Sequence, residues 1–189
     1  MNEACEKTSG TMAAVLGLEA AEVEEALHGL SNVWIANYNC PGQIVISGTK
    51  EGVEKAAVPL KAKGAKRVLP LTVHGAFHSG LMQSAQDGLA PFIQAAPIID
   101  SQIGFVMNVP GGFVHSIDDI RSNLTSQVTQ SVCWDQGIRS MNGIELFLEI
   151  GCGKTLAGLN KKIGVAAPTL SIDKVEDLDR IGETLCSTY

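Results

Sequence analysis

The chain has 189 residues, 45% of them hydrophobic and 18% charged, with a formal net charge of −6. That length supports one or two domains with a real core, and the composition is that of an ordered globular protein. The negative balance argues against a nucleic-acid binder, which would carry a basic stripe. No apolar run approaches the roughly 20 residues of a membrane span, and Met1-Asn2-Glu3-Ala4-Cys5-Glu6-Lys7 lacks the apolar core of a signal peptide. The expected setting is cytoplasmic, with neither membrane nor nucleic acid as a partner. Cys5, Cys40, Cys133, Cys152 and Cys186 are scattered, with no Cys-x-x-Cys pair, so they read as free thiols and indicate neither a disulfide framework nor a metal site.

Residues 11–73 alternate in type. Thr11 to Leu18 is a small-residue β-like run, and Glu19 to Leu30 is helical, with Ala21, Val23, Ala26, Leu27 and Leu30 on its apolar side. Val33 to Tyr38 and Gln43 to Ser47 are strands separated by the turn Asn39-Cys40-Pro41-Gly42, hence a hairpin. Lys50 to Lys63 is a second helix stopped by Gly64, with Pro59 as a point of kinking or early ending. Ala65 to Val73 is the last strand. Strand, helix, hairpin, helix, strand is the ferredoxin-like order, which names no activity by itself.

From residue 74 the elements lengthen. Val73-His74-Gly75-Ala76-Phe77-His78-Ser79-Gly80 places His78 at a strand-to-helix junction, with Ser79 as N-cap and Leu81, Ala85, Leu89, Phe92 and Ala96 at helical spacing beyond it. Gln102 to Asn108 reads as a buried strand, followed by the loop Val109-Pro110-Gly111-Gly112. Asp118 or Ser116 caps a helix running to about Gln130, its inner face being Ile120, Leu124, Gln127 and Val128. Trp134 to Met141 is helical, Ile144 to Ile150 is an apolar strand of the kind buried in a parallel sheet, and Lys154 to Ile163 is a helix stopped by Gly164. Thr169 to Ile172 and Lys174 to Cys186 close the chain as strand and helix.

Three places carry chemistry-bearing residues. Gly151-Cys152-Gly153-Lys154-Thr155 imitates the end of a phosphate loop, but the motif needs a glycine five residues before Gly153, where Leu148 stands. The same turn reads either as an exposed cysteine paired with His78 in a thiol-histidine dyad or as backbone passing close to a neighbour. Gln127 is a polar residue on an apolar helix face and must find hydrogen-bond partners. Asn39-Cys40-Pro41-Gly42-Gln43 is an ordinary turn by composition.

The joint order of four motifs resembles the malonyl-CoA:acyl carrier protein transacylase family over essentially the whole chain: Asn39-Cys40-Pro41-Gly42-Gln43-Ile44-Val45-Ile46-Ser47-Gly48, Gly64-Ala65-Lys66-Arg67-Val68-Leu69-Pro70-Leu71, Gly75-Ala76-Phe77-His78-Ser79-Gly80-Leu81-Met82 and Glu149-Ile150-Gly151-Cys152-Gly153-Lys154-Thr155-Leu156. The resemblance implies a ferredoxin-like α+β subdomain followed by the C-terminal half of an α/β-hydrolase-like acyltransferase domain. It divides the chain into 1–10 (the end of an upstream helix of the large domain), 11–73 (the small subdomain) and 74–189 (part of the large one). The implied reaction moves malonyl from malonyl-CoA to the phosphopantetheine thiol of acyl carrier protein, through an acyl-serine intermediate and with no cofactor of the enzyme's own. By the same resemblance His78 is the base and the Gln127 main-chain carbonyl orients it in place of a triad carboxylate. Asn39 lines the substrate cleft, and Phe77 gives the Ala-Phe-His-Ser form that goes with malonyl, where serine in place of phenylalanine goes with methylmalonyl.

The chain departs from the family pattern in lacking Gly-His-Ser-Leu-Gly, which holds the nucleophile, and Gly-Gln-Gly-Ser-Gln, which contributes to the oxyanion hole. The family's Arg-Gly-x-x-Met stretch would end at Met1. The expectation is therefore a C-terminal part of a transacylase, inactive alone; Cys152 also stands where proline is usual. The rival reading is a non-catalytic interaction module whose basic patch Lys61, Lys63, Lys66 and Arg67 docks an acidic partner such as acyl carrier protein.

Overall fold

The computed structural model describes residues 2–179, 181 and 182, in two compact units, 1–140 and 141–189. In the first unit, α1 (Asn2–Thr8) leads into β1 (Gly10–Leu16), followed by α2 (Ala20–Leu27), β2 (Val33–Cys40), β3 (Gln43–Thr49), α3 (Lys50–Ala62) and β4 (Arg67–Pro70). The strands form one antiparallel sheet in the order β2-β3-β1-β4, the ferredoxin-like arrangement. Strand alternation divides its side chains between two faces. Ala13, Val15, Ile44 and Ile46 pack under Val23, Leu27, Val53 and Leu60 of the two helices, and Met12, Ala36 and Val45 form a second cluster with Leu71, Val73 and Phe77. The sheet is therefore buried on both sides.

Several expected boundaries shift for local reasons. Cys40 pairs with Gln43, so the hairpin turn is only Pro41-Gly42, with Gly42 at φ 71°. Asn39 accordingly lies inside β2, at a bulge between Tyr38 and Cys40 rather than in a turn. Helix α3 starts at the Thr49 cap, whose hydroxyl accepts from Gly52 N at 3.0 Å, and runs through Pro59 without ending. Lys63 N donates back to the Pro59 carbonyl at 2.9 Å, and Gly64 stops the helix at φ 100°. Strand β4 ends well short of Val73. Pro70 has no N–H for the ladder, and the chain makes one more sheet bond, Leu71 N to Met12 O at 2.9 Å, before leaving.

After a 3-10 turn at Gly80–Met82 comes α4 (Gln83–Ala95), then β5 (Phe105–Met107), β6 (Gly112–Val114), α5 (Ile117–Ser126) and α6 (Trp134–Ser140). The buried side is displaced by one residue from expectation: Met82, at the N-cap of α4, and Ile93 within it are buried, whereas Leu89 and Phe92 are exposed, Phe92 by 75%. The expected buried strand Gln102 to Asn108 is instead one arm of a short hairpin, β5 against β6. Pro110-Gly111 reverses the chain there, and Gly111 sits at φ 55° where a Cβ would lie 2.8 Å from Cys133 and Gln136. Ile103 and Phe105 remain exposed.

In the second unit, β7 (Phe147–Ile150) and β8 (Thr169–Ile172) pair in parallel through α7 (Thr155–Ile163), which Gly164 ends at φ 82°. Helical residues 177–179, 181 and 182 fall within the expected closing helix, whose remainder, with Cys186, lies outside the described residues. The expectation of a strand buried by its apolar side chains is corrected here. Leu148 and Ile150 are exposed, and the buried side chain of β7 is Glu149. Its carboxylate accepts from Leu156 N at 2.8 Å, Ala157 N at 3.0 Å and Ser171 Oγ at 2.9 Å. The positive end of α7, where a phosphate loop would hold phosphate, is thus filled by the chain's own carboxylate.

Burial raises the pKa of Glu149, but the bonds from Leu156, Ala157, Ser171 and Thr155 outweigh it and hold the carboxyl below its ordinary value. A carboxyl depressed in the folded state adds stability that is present above its unfolded pKa and is lost as pH falls through the folded value. Glu149→Gln should therefore lower the melting temperature at pH 7. The gap from the parent chain should narrow as pH drops below about 4, in thermal scans followed by circular dichroism.

Candidate active site

The turn before α4 supplies a histidine in an unusual backbone state. His78 has φ 56°, in the left-handed region that non-glycine residues rarely occupy. Its neighbour stabilises the turn from both sides. Ser79 is fully buried, its hydroxyl donating to the Ala76 carbonyl at 2.6 Å and accepting from Leu81 N at 3.3 Å as the expected N-cap. This geometry throws the imidazole toward the end of α5. There His78 Nδ1 lies 2.7 Å from the main-chain oxygen of Gln127. A carbonyl oxygen can only accept, so the proton is on Nδ1, and in the neutral ring the lone pair is on Nε2.

Gln127 is the C-cap of α5, whose N-cap is Ser116, its hydroxyl accepting from Asp119 N at 3.0 Å; of the two candidate caps, Ser116 is the one used. The helix stops at Ser126, short of the expected Gln130, and this places the Gln127 carbonyl at a helix C-terminus, where carbonyls lack intrahelical donors. The Gln127 side chain turns elsewhere, its Oε1 accepting from Asn108 Nδ2 at 3.3 Å. The strap that follows, residues 127–133, runs beside the bulged edge of β2. Ser131 Oγ donates to Ile35 O at 2.6 Å, Val132 N to Ala36 O at 2.8 Å, and Tyr38 N to Val132 O at 2.8 Å.

His78 opens onto a cavity of about 410 Å³ walled by Trp34, Tyr38, Gln83, Thr129 and Ser131, among others. Gly80 admits the Trp34 ring, since a Cβ there would lie 3.0 Å from it. Burial, then the hydrogen bond to Glu24 and the charge of that carboxylate, pushes the Tyr38 phenol well above its ordinary range. Of the four residues singled out from sequence, the structure brings His78 and Gln127 together. Phe77 adjoins them in sequence, yet its ring packs against Ala4, Met82 and Val128 on one side and Met12, Ala36 and Val45 on the other. Asn39 is half-buried at its bulge and is not a wall of this cavity. Trp34, Thr129 and Ser131 were not legible as site residues, because what places them is the bulged strand and the strap, and Asn108 was not because it reaches Gln127 from the turn after β5.

The basic patch is less charged than its sequence suggests, since Lys63 pairs with Glu25 at 2.7 Å. Cys152 is exposed on the turn between β7 and α7. Among the described residues, no group of three or more His, Cys, Asp or Glu could hold a metal ion, and no helix is long and apolar enough to cross a membrane.

No protein-family model matches the chain. The malonyl CoA-acyl carrier protein transacylase of Bacillus subtilis is 38% identical over a 191-residue alignment that covers 98% of this chain and 60% of the relative. That of Staphylococcus aureus is also 38% identical, covering 89% of this chain and 57% of the relative. Among solved structures, the transacylase of Streptococcus pneumoniae superposes with a TM-score of 0.91 at 36% identity, covering 97% of this chain and 62% of that one. A malonyl-transacylase solved in complex with a type II polyketide acyl-carrier protein superposes at 0.88 with 31% identity, covering 96% and 62%. The chain thus spans about three fifths of the relatives it matches. In both sequence and fold it resembles the malonyl-CoA:acyl carrier protein transacylases along nearly its whole length.

Proposed function

We propose that this chain supplies the general base, and the carbonyl that orients it, for transfer of malonyl from malonyl-CoA to the phosphopantetheine thiol of acyl carrier protein in the cytoplasmic synthesis of fatty acids. The observation that carries this reading is the 2.7 Å bond from His78 Nδ1 to the Gln127 carbonyl, which leaves Nε2 to accept a proton. In the first half-reaction Nε2 takes the proton of a serine hydroxyl as its oxygen attacks the thioester carbonyl. The tetrahedral adduct then expels the coenzyme A thiolate, which receives that proton. In the second, Nε2 takes the proton of the carrier thiol, whose sulfur attacks the serine ester, and returns it to the departing serine oxygen. The carrier partner is supported by the complex of a similar transacylase with its acyl-carrier protein.

This sequence contains no Gly-His-Ser-Leu-Gly, and Ser79, buried and bonded to the Ala76 carbonyl, is not the serine of the proposed reaction. We also propose that 11–73 is the small subdomain and that 1–10 and 74–189 belong to the larger one. Support for this comes from the self-contained core of the four-stranded sheet and from Ala4 packing with Met82 and Val128. Asn39 is assigned to the substrate cleft on resemblance alone.

The test joins the chain to the part of the Bacillus subtilis relative that it does not cover. The 189-residue chain alone should gain no malonyl mass from malonyl-CoA, whereas the joined protein should. In the joined protein His78→Ala should slow transfer by on the order of 10²- to 10⁴-fold with the fold intact, while changes at His28, His74 and His115 should be nearly neutral. Near-normal turnover in His78→Ala would reject the assignment.

Phe77 has two readings, an acyl gate by resemblance and a wedge between two core clusters by its packing. The packing favours the wedge. Phe77→Ser should then lower stability by about 2 to 4 kcal/mol and depress malonyl and methylmalonyl transfer together. A selective gain for methylmalonyl of roughly ten- to two-hundredfold, read from kcat/KM for both thioesters, would make it the gate.

A further inference from the structure

The orienting carbonyl belongs to the main chain, so its position is set by the end of α5, by the Gln127 side-chain bonds to Asn108 and Leu124, and by the strap that continues from it. Ser131 stands four residues beyond Gln127 and its hydroxyl reaches the Ile35 carbonyl at 2.6 Å. Ile35 lies at the first bulge of β2, where pairing with β3 slips between Ile35 and Asn37. Strand β2 is also the edge of the sheet. Its outward carbonyls therefore need partners from elsewhere, and the strap provides them: Ser131 Oγ for Ile35, and Val132 N for Ala36 at 2.8 Å. At the other end the strap is tied to α4 by Thr129 Oγ1, which donates to Gln86 Oε1 at 2.5 Å.

We infer that Ser131 is a positioning residue, whose hydroxyl locks the strap to the bulged edge of β2 and so holds the Gln127 carbonyl within hydrogen-bond reach of His78. The inference rests on the proposed role of that carbonyl. Removing the hydroxyl leaves the half-buried Ile35 carbonyl without its side-chain donor. The strap then keeps its main-chain bonds from Thr129 and Gln130 to Ser126 and between Val132 and β2 but loses its side-chain tie at Ser131, and the slack this gives residues 127–131 is what loosens the acceptor that selects the Nδ1–H tautomer.

The experiment uses the 189-residue chain with isotope-labelled histidine and requires no catalysis. Nitrogen and proton NMR should show His78 carrying its proton on Nδ1, with slow exchange of that proton. In Ser131→Ala the exchange should accelerate on the order of tenfold or more and the tautomer should become mixed, while amide protection at Val15 in the sheet core is kept. Ser131→Thr, which keeps the hydroxyl, should restore the parent behaviour. Gln127→Ala, which keeps the carbonyl, should also retain the bonded proton. If Ser131→Ala proves unfolded, Ser131→Thr against the isosteric Ser131→Val decides the matter at a temperature where both are folded. Unchanged His78 exchange and tautomer in folded Ser131→Ala or Ser131→Val would overturn the inference. An unbonded Nδ1 in the parent chain would instead overturn the proposed base itself.

Discussion

The hydrogen bond from His78 Nδ1 to the Gln127 carbonyl links groups 49 residues apart, and much of the surrounding structure is arranged so that it can form. The histidine must sit in the left-handed conformation at the turn before α4, a state that costs on the order of 1 kcal/mol or more for a residue with a Cβ. Burial of Ser79 and its two hydrogen bonds offset that cost. The carbonyl, for its part, must emerge from a helix end that stops at Ser126 and be held by a strap lying along β2. A regular β2 would present a straight ladder edge. Its two bulges, at Ala36 and Asn39, twist that edge and turn carbonyls toward the strap instead.

Burial of the four-stranded sheet on both faces ties this geometry to stability. One face belongs to α2 and α3; the other is covered by Leu71, Val73 and Phe77 from the segment that carries His78. The histidine's position is thereby coupled to core packing through its immediate predecessor. An aromatic ring wedged between two clusters is a rigid anchor, because interiors are close-packed and yield little.

How much of this could be read from the sequence depended on whether the signal was local. The ferredoxin-like order was legible because periodicity switches cleanly between Val15, Val23, Ile46 and Leu60, and Gly42, Gly64 and Gly164 mark stops that their positive φ angles require. His78 was legible as the residue before a helical turn capped by Ser79, though the strand expected to lead into it stops at Pro70, eight residues earlier. The Gln127 carbonyl was not, except by resemblance, since a main-chain oxygen has no residue-type signature. Ser131 escaped for the related reason that its partner, Ile35 O, is a main-chain acceptor on the bulged edge strand 96 residues earlier in the chain. Glu149 was hidden by its neighbours: Phe147, Leu148 and Ile150 make the run look apolar, yet the carboxylate is the member that faces the helix terminus. Phe105 and the α4 stripe were misjudged because hydrophobicity alone does not say what covers a face.

The use of a neutral carbonyl at one end of the chain's chemistry and a charged carboxylate at the other follows from what each must hold. At α7 the task is structural. A full negative charge on Glu149 answers the otherwise unpaired N–H groups of Leu156 and Ala157 and the positive helix end. At His78 the task is to fix a tautomer beside a substrate that is itself an anion in the proposed reaction. A carboxylate there would orient the ring equally well but would repel a malonyl group across a short distance in a partly desolvated cavity, where charges interact more strongly than in water. A carbonyl at a helix C-terminus carries only a partial negative charge. It can select Nδ1–H for the imidazole while leaving the substrate's own charge unopposed.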